Sequence, residues 1–220
     1  MDTAEKITTA YEESENIYDD VLTQNKWWSK LYISLFWGVS DVEISKKLFA
    51  MIPDDFIGDI LDVPCGTMNL TLGKFKRLSY ANIIGFDYSE DMLRKARKRI
   101  SDLGLLNVST IQGDVGQLPF MNETFDMVLS MNGFHVFPEK EKAYEEISRI
   151  LKPKGQFLGC FYVKGESRRS DFIVDKYLAK KGWFTPPFQS KRSVVATLKN
   201  YFSSVELKQE NAMIWFNCVK

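Results

Sequence analysis

The amino-acid sequence predicts an α/β fold: a doubly wound, mostly parallel sheet of seven strands, with helices on both faces and a C-terminal antiparallel hairpin. Three observations carry that expectation. Five short apolar runs recur through the middle of the chain, amphipathic helical stretches separate them, and two further strand-like runs meet at a tight turn near the C-terminus. Short runs that are apolar throughout suit strands buried on both faces, as a parallel sheet requires. Strand–helix–strand units of this length need crossovers, which are right-handed almost without exception. Helices on both sides of an open sheet follow.

The five runs are GDILDV (58–63), NIIGFDY (82–88), VSTIQGD (108–114), FDMVLSM (125–131) and GQFLGCFYV (155–163). Ser89 is placed to cap the helix EDMLRKARKRI, with acids in its first turn and bases further along, an order that suits the helix dipole. Residues 139–152 put Ala143, Ile147, Ile150 and Leu151 on one stripe, and PKG (153–155) is expected to end that helix. Downstream, 170–183 reads as helical, TPPF (185–188) as a rigid break and 193–202 as a short helix. The runs SSVELKQ (203–209) and AMIWFNCV (212–219) then form the closing hairpin, turning at 209–211. The first fifty-odd residues show no strand signal. Residues 18–38 and 40–52 read as helices, the second opened by a capping box of Ser40 and Glu43. No repeat and no linker divides the chain, so 1–220 is expected to be one domain.

A chain of 220 residues buries roughly 70% of the surface its unfolded form exposes. Its 29 Lys and Arg balance its 29 Asp and Glu, and a nucleic-acid surface normally needs a basic excess. No apolar run approaches the roughly 18 residues of a membrane span, and the acidic N-terminal stretch lacks a signal peptide's apolar core. The three cysteines are far apart, with no CxxC pair, so neither a disulfide framework nor a metal site is expected and a reducing cytoplasm is the natural compartment.

In an open α/β sheet, ligands sit at the carboxyl ends of the strands. The loops to read are therefore DVPCGTMN, DYSEDM, GDVGQLPF and MNGFHVF. Asp62, Asp87 and Asp114 each stand at such a strand end. Asp87 lies about twenty residues beyond the single loop glycine, Gly66, where an acid can accept hydrogen bonds from both hydroxyls of a nucleoside ribose. The alternative, a helix-capping carboxylate, is weakened because Ser89 already caps. Asp114 can accept from an adenine amino group or serve as a turn former. Asp62 can order its loop or meet a cationic amino group. A dinucleotide is disfavoured: the G-x-G-x-x-G pattern is missing, and an acid at the loop repels a pyrophosphate. A ligand with an adenosine and no phosphate fits the charges better.

These motifs resemble those of the class I S-adenosylmethionine-dependent methyltransferases, in particular the small-molecule group that includes the ubiquinone/menaquinone methylases. The likeness rests on ILDVPCGTMNL, IIGFDYSEDMLRKAR, IQGDVGQLPFMNETFDMVLSMNGFHVF and EKAYEEISRILKPKGQF, in that order, and spans about residues 57–163. It implies a Rossmann-like sheet and divides the domain into an N-terminal helical lid (1–54), a cofactor-binding core (55–163) and C-terminal helices with the hairpin (164–220). It implies S-adenosylmethionine as cofactor and S-adenosylhomocysteine as product. Asp62 and Gly66 would line the methionine end, Asp87 would hold the ribose, Asp114 with Val115 would frame the adenine, and Met92 would pack beside the adenosine. Pro64, Cys65, Tyr88 and Met131 complete the cofactor-binding set.

The loop departs from the family pattern Asp-x-Gly-x-Gly-x-Gly, because Pro64 and Met68 replace its first and third glycines. Proline fixes φ near −65° and removes an N–H. A methionine in the third position must either point away from the cofactor or partly occupy its site. The reaction implied is in-line methyl transfer to a small, partly apolar or aromatic metabolite. The donor is already activated, so orientation supplies much of the acceleration, about 7–11 kcal/mol. His135, the only histidine, follows the fourth strand and is a candidate general base; a substrate-lining or structural histidine is the alternative. Tyr18, Trp27, Trp28 and Tyr32, with Phe36 and Trp37, can form an aromatic lid and acceptor pocket, and Trp183, Phe184 and Phe188 another wall. Arg168 and Arg169 read as a solvated pair or as contacts for an acidic substrate. A protein of this fold that binds the cofactor without turnover, and a methylase of protein or RNA, are the alternatives. Monomer and homodimer both stay open.

Overall fold

A computed structural model describes residues 40–220. Tyr18, Trp27, Trp28, Tyr32, Phe36, Trp37 and the helix expected over 18–38 lie outside the described residues, as does most of the expected lid. The described chain runs α1 (Asp41–Phe49), β1 (Gly58–Asp62), α2 (Leu72–Phe75), β2 (Ala81–Asp87), α3 (Glu90–Asp102), β3 (Val108–Gln112), β4 (Phe125–Met131), α4 (Lys140–Ile150) and β5 (Leu151–Tyr162). A short helix α5 (Arg168–Ile173) continues into a π turn (Val174–Leu178), followed by α6 (Lys191–Tyr201), β6 (Ser204–Glu210) and β7 (Met213–Val219).

The seven strands lie in the order β3-β2-β1-β4-β5-β7-β6. The first five are parallel, and β7 pairs antiparallel with both β5 and β6. Alternate residues of each strand feed two cores, one per face. Ile60, Met127 and Leu158 pack with Ile44, Leu48, Leu93 and Ala96 on one side. Leu61, Val128 and Phe157 pack with Ala143, Tyr144, Ile147 and Val194 on the other. The chain order reverses between β1 and β4, so the crevice for a ligand opens above these two strands.

Ser89 caps α3 as expected, its hydroxyl accepting from Met92 N–H at 3.4 Å. Two local expectations are corrected. The α4 helix ends at Ile150 rather than at PKG, and β5 starts at once with Leu151, which is fully buried and pairs with Phe125. Burying Leu151 between strand and core outweighs another helical turn. Lys154 then takes φ 67° within the irregularity that separates Leu151 from the regular register. Ser40 is the N-cap of α1, but its side chain makes no capping bond; its carbonyl accepts from Glu43 and Ile44 N–H, both at 3.0 Å. Among the described residues, no helix is long and apolar enough to cross a membrane.

Candidate cofactor and active site

The carboxyl ends of β1, β2 and β4 open into one cavity. Its walls include all ten residues expected to bind the cofactor: Asp62, Pro64, Cys65, Gly66 and Asp87, and then Tyr88, Met92, Asp114, Val115 and Met131. The structure explains how a loop with one glycine keeps this shape. Gly66 has φ 52°, the left-handed region that an L side chain enters only at a cost. Its N–H donates to Asp87 Oδ2 at 2.7 Å, while Ser89 N–H donates to Oδ1 at 2.9 Å. Asp87 therefore ties the loop after β1 to the first turn of α3.

Met68 also has φ 56°, so the third family position keeps the glycine conformation without the glycine. Its side chain is 1% exposed and belongs to the first core. The space comes from β2: a Cβ on Gly85 would lie 2.1 Å from Met68 Cε and 3.0 Å from Cys65 Sγ. Met68 thus packs its terminal methyl against Gly85 of β2, while the residue also lines the cavity. Pro64 is accommodated in the same way, because a Cβ on Gly133, in the loop after β4, would lie 2.4 Å from Pro64 Cδ and 2.8 Å from Phe137 Cζ. A ring cannot retreat as a flexible side chain can. Gly133→Ala is therefore expected to cost about 1–3 kcal/mol by overpacking, read by thermal or urea unfolding; a variant as stable as the parent would show that the Pro64 loop yields freely.

Asp62 is 1% exposed, and neither carboxylate oxygen has a hydrogen-bond partner. The buried Thr71 hydroxyl is also unpartnered: it is near enough to favour the charged form but is not in hydrogen-bonding geometry. Burial pushes the Asp62 pKa up to about 8, with the Thr71 hydroxyl opposing and the Asp87 charge adding to the rise. Asp87 is pushed up to about 6, again first by burial, with the N–H groups of Ser89, Gly66 and Tyr88 opposing. A buried acid without a partner is expensive unless something pairs with it. This wall is therefore built to receive hydrogen-bond donors or a cation. Asp114 is more exposed, and its Oδ1 accepts from Gly116 N–H at 2.8 Å, capping the turn of Val115–Gln117. Asp114 is therefore a turn former, and it also lines the cavity.

His135 and Trp183 are not in the cavity wall. The His135 ring is buried and stacks on Phe184 at 4.0 Å, and its Nδ1 accepts from Tyr162 N–H at 3.5 Å. Burial, helped by the charge of Lys140, lowers its pKa to about 3. That is far below the range useful to a general base near neutrality. Trp183 instead packs, partly buried, against the first core. Among the lining residues not singled out from the sequence are Thr71 and Asn132. Asn132 stands directly after β4 with φ 57°, and its Nδ2 donates to Asp41 Oδ1 at 2.9 Å. Its own Oδ1 is buried and unpartnered. Its place at a strand end was a usable signal; Thr71, in a turn of no recognisable pattern, gave none.

A methyltransferase-domain family model matches residues 60–155. The chain is 34% identical over 121 residues to a ubiquinone/menaquinone biosynthesis C-methyltransferase of Marinomonas, covering 54% of this chain and 48% of that protein. It is 30% identical over 156 residues to an uncharacterized chloroplastic methyltransferase of Arabidopsis thaliana, covering 69% of this chain and 40% of the relative. The chain thus spans less than half the length of these curated relatives. Among solved structures, a methyltransferase of Thermotoga maritima superposes with a TM-score of 0.70 at 19% identity, over 97% of this chain and 99% of that one. Phosphoethanolamine N-methyltransferase 2 of Haemonchus contortus, solved with S-adenosylmethionine, also gives 0.70, at 16% identity over 81% and 52% of the two chains.

Proposed function

From a chain that belongs to the class I S-adenosylmethionine-dependent methyltransferases, we propose an enzyme that methylates a small, partly apolar or aromatic metabolite. The observation that carries the cofactor assignment is the unpartnered carboxylate of Asp62, buried in the wall of a cavity that also presents Asp87. A positively charged amino group with no phosphate answers that wall, and the residues present fit it. Asp62 and the Gly66 loop would hold the amino-acid end. Asp87 keeps lone pairs for the ribose hydroxyls even while it accepts two backbone N–H groups, because each carboxylate oxygen accepts more than one bond. Val115 and Met92, both buried, offer the apolar sides of an adenine slot, with Asp114 at its edge.

The cofactor supplies a methyl group already activated on a sulfonium. What remains for the protein is to orient the acceptor and to exclude water. Met131, Asn132, Val136 and Phe137 extend the cavity wall past β4, and this side suits an apolar acceptor with one polar group to anchor. His135 is buried outside the wall, stacked on Phe184, so the proposal routes no proton through it. The homologous quinone methylase points to the same kind of acceptor.

Calorimetric titration with S-adenosylmethionine and S-adenosylhomocysteine tests the cofactor, and Asp87→Ala is expected to weaken both at least about tenfold by removing a charged acceptor. If neither ligand binds the parent, the proposal fails. Labelled-methyl transfer into metabolite fractions, compared with RNA and protein fractions, tests the acceptor class; label in RNA or protein alone would overturn it.

A further inference from the structure

One surface has no part in the chemistry above: the outward side of α5 and of the π turn that follows. Phe172 and Tyr177 stand 56% and 59% exposed there, while Ile173, Val174 and Leu178 between and beside them are buried in the first core. In an α-helix, side chains five positions apart diverge, because each residue advances by about 100°. The π turn, in which Ala179 N–H bonds to the Val174 carbonyl at 2.9 Å, winds more slowly and narrows that divergence. The two ring centroids come to 6.4 Å. The irregular turn thus turns two isolated aromatics into a small exposed patch.

The same segment is rich in uncommitted positive charge. Arg168, Arg169, Lys176 and Lys180 are exposed, and among the described residues their side chains make no ion pair or hydrogen bond. The nearby acids are engaged elsewhere. Asp171 accepts from the Tyr162 hydroxyl at 2.5 Å and from Gly165 N–H at 3.1 Å. Asp175 pairs with Lys164 at 2.8 Å, and Glu166 accepts from Gln209 Nε2 at 2.7 Å. Helix stability does not account for Arg168 and Arg169, since cations at a helix N-terminus oppose its dipole. In a chain of zero net charge, this concentration is local.

We propose that this face docks the protein on an anionic lipid surface, with the two rings entering the interface and the flanking cations meeting phosphate headgroups. Aromatic tips among long basic side chains on the outer side of a helix are the composition of an interfacial element. The segment leaves β5 at the carboxyl edge of the sheet, the edge that carries the cavity, and Thr185 N–H donates to the His135 carbonyl at 2.8 Å, joining the following loop to the loop after β4. Only the consequence rests on the proposed function: an apolar acceptor dissolved in lipid would arrive beside the cavity.

Sedimentation of the full chain with vesicles tests the docking itself. The protein is expected to partition onto phosphatidylcholine vesicles containing phosphatidylglycerol, weakly onto phosphatidylcholine alone, and less as salt screens the charges. Arg169→Gln with Lys176→Gln and Lys180→Gln should reduce partition about fivefold per cation. Phe172→Ser with Tyr177→Ser should reduce it while leaving the salt dependence in place. All five positions are exposed, so melting temperature and S-adenosylmethionine affinity should match the parent, which separates failure here from failure of the cofactor assignment. Absence of partition onto anionic vesicles overturns the proposal, as does undiminished binding by the cation variant. Retention on polyglutamate without vesicle binding overturns it in favour of an acidic protein partner.

Discussion

Asp62→Asn is expected to stabilise the ligand-free protein at pH 8 while weakening S-adenosylmethionine binding roughly 10- to 100-fold, the loss of a hydrogen-bonded charge partner. Burial holds the Asp62 pKa at about 8 in the folded chain, against about 3.9 in an unfolded one. Between those values the folded state keeps a proton that the unfolded state has released. Stability therefore falls as pH rises through that window and levels off above pH 8. Asp87, at about 6 when folded, adds a loss of the same sign that ends earlier. Asparagine has no proton to hold, so the advantage of the variant should be absent near pH 4 and largest near pH 8. Its own buried amide is costly as well, which leaves a net gain of about 2 kcal/mol, or about 5 °C. Thermal melts across this range check the sign; a variant no more stable than the parent at pH 8 would show that Asp62 is already paired. The ligand side carries a matching expectation. Asp62 must ionise to meet an ammonium, so affinity should rise from pH 6 to pH 8, with proton release on binding. Titration in two buffers of different ionisation enthalpy measures that proton.

Met68→Ala is expected to destabilise the protein by about 3 kcal/mol, close to 10 °C. The side chain is fully enclosed beneath Gly85, so truncation leaves a cavity, while the left-handed φ of 56° and its strain remain. Met68→Gly, which restores the family residue, removes a conformational cost of about 1–2 kcal/mol yet still loses the packing. It should end less stable than the parent and bind the cofactor no better. Adding Gly85→Ala to Met68→Gly places a methyl near where the methionine's terminal methyl lay, still 3.0 Å from Cys65 Sγ, and should cost less than Gly85→Ala in the parent. A double-mutant cycle on chemical unfolding measures that coupling; strictly additive effects would mean that Gly85 does not make the room for Met68.

The residues that the sequence identified most securely are those whose position repeats a local rule. Asp62, Asp87 and Asp114 end strands whose apolar runs are plain, and they converge on one cavity because parallel strands carry their carboxyl ends to the same edge. Ser89 caps α3 because capping depends on residues three apart in the chain. The end of α4 was misjudged for the opposite reason: whether Leu151 belongs to helix or strand depends on Phe125 across the sheet. His135 was read from its place after β4, but the backbone there turns its ring toward Phe184 and Tyr162 and away from the cavity.

By itself the sequence determined the order of elements, the kind of sheet and the loops at its carboxyl edge, because periodicity and capping act over a few residues. The tertiary structure alone decided what a loop with one glycine does with its proline and its methionine. Gly133 and Gly85, one in the loop after β4 and one on the neighbouring strand, make the room that the loop's missing glycines would have made. Such compensation is invisible along the chain, because the atoms that must not collide are brought together only by folding.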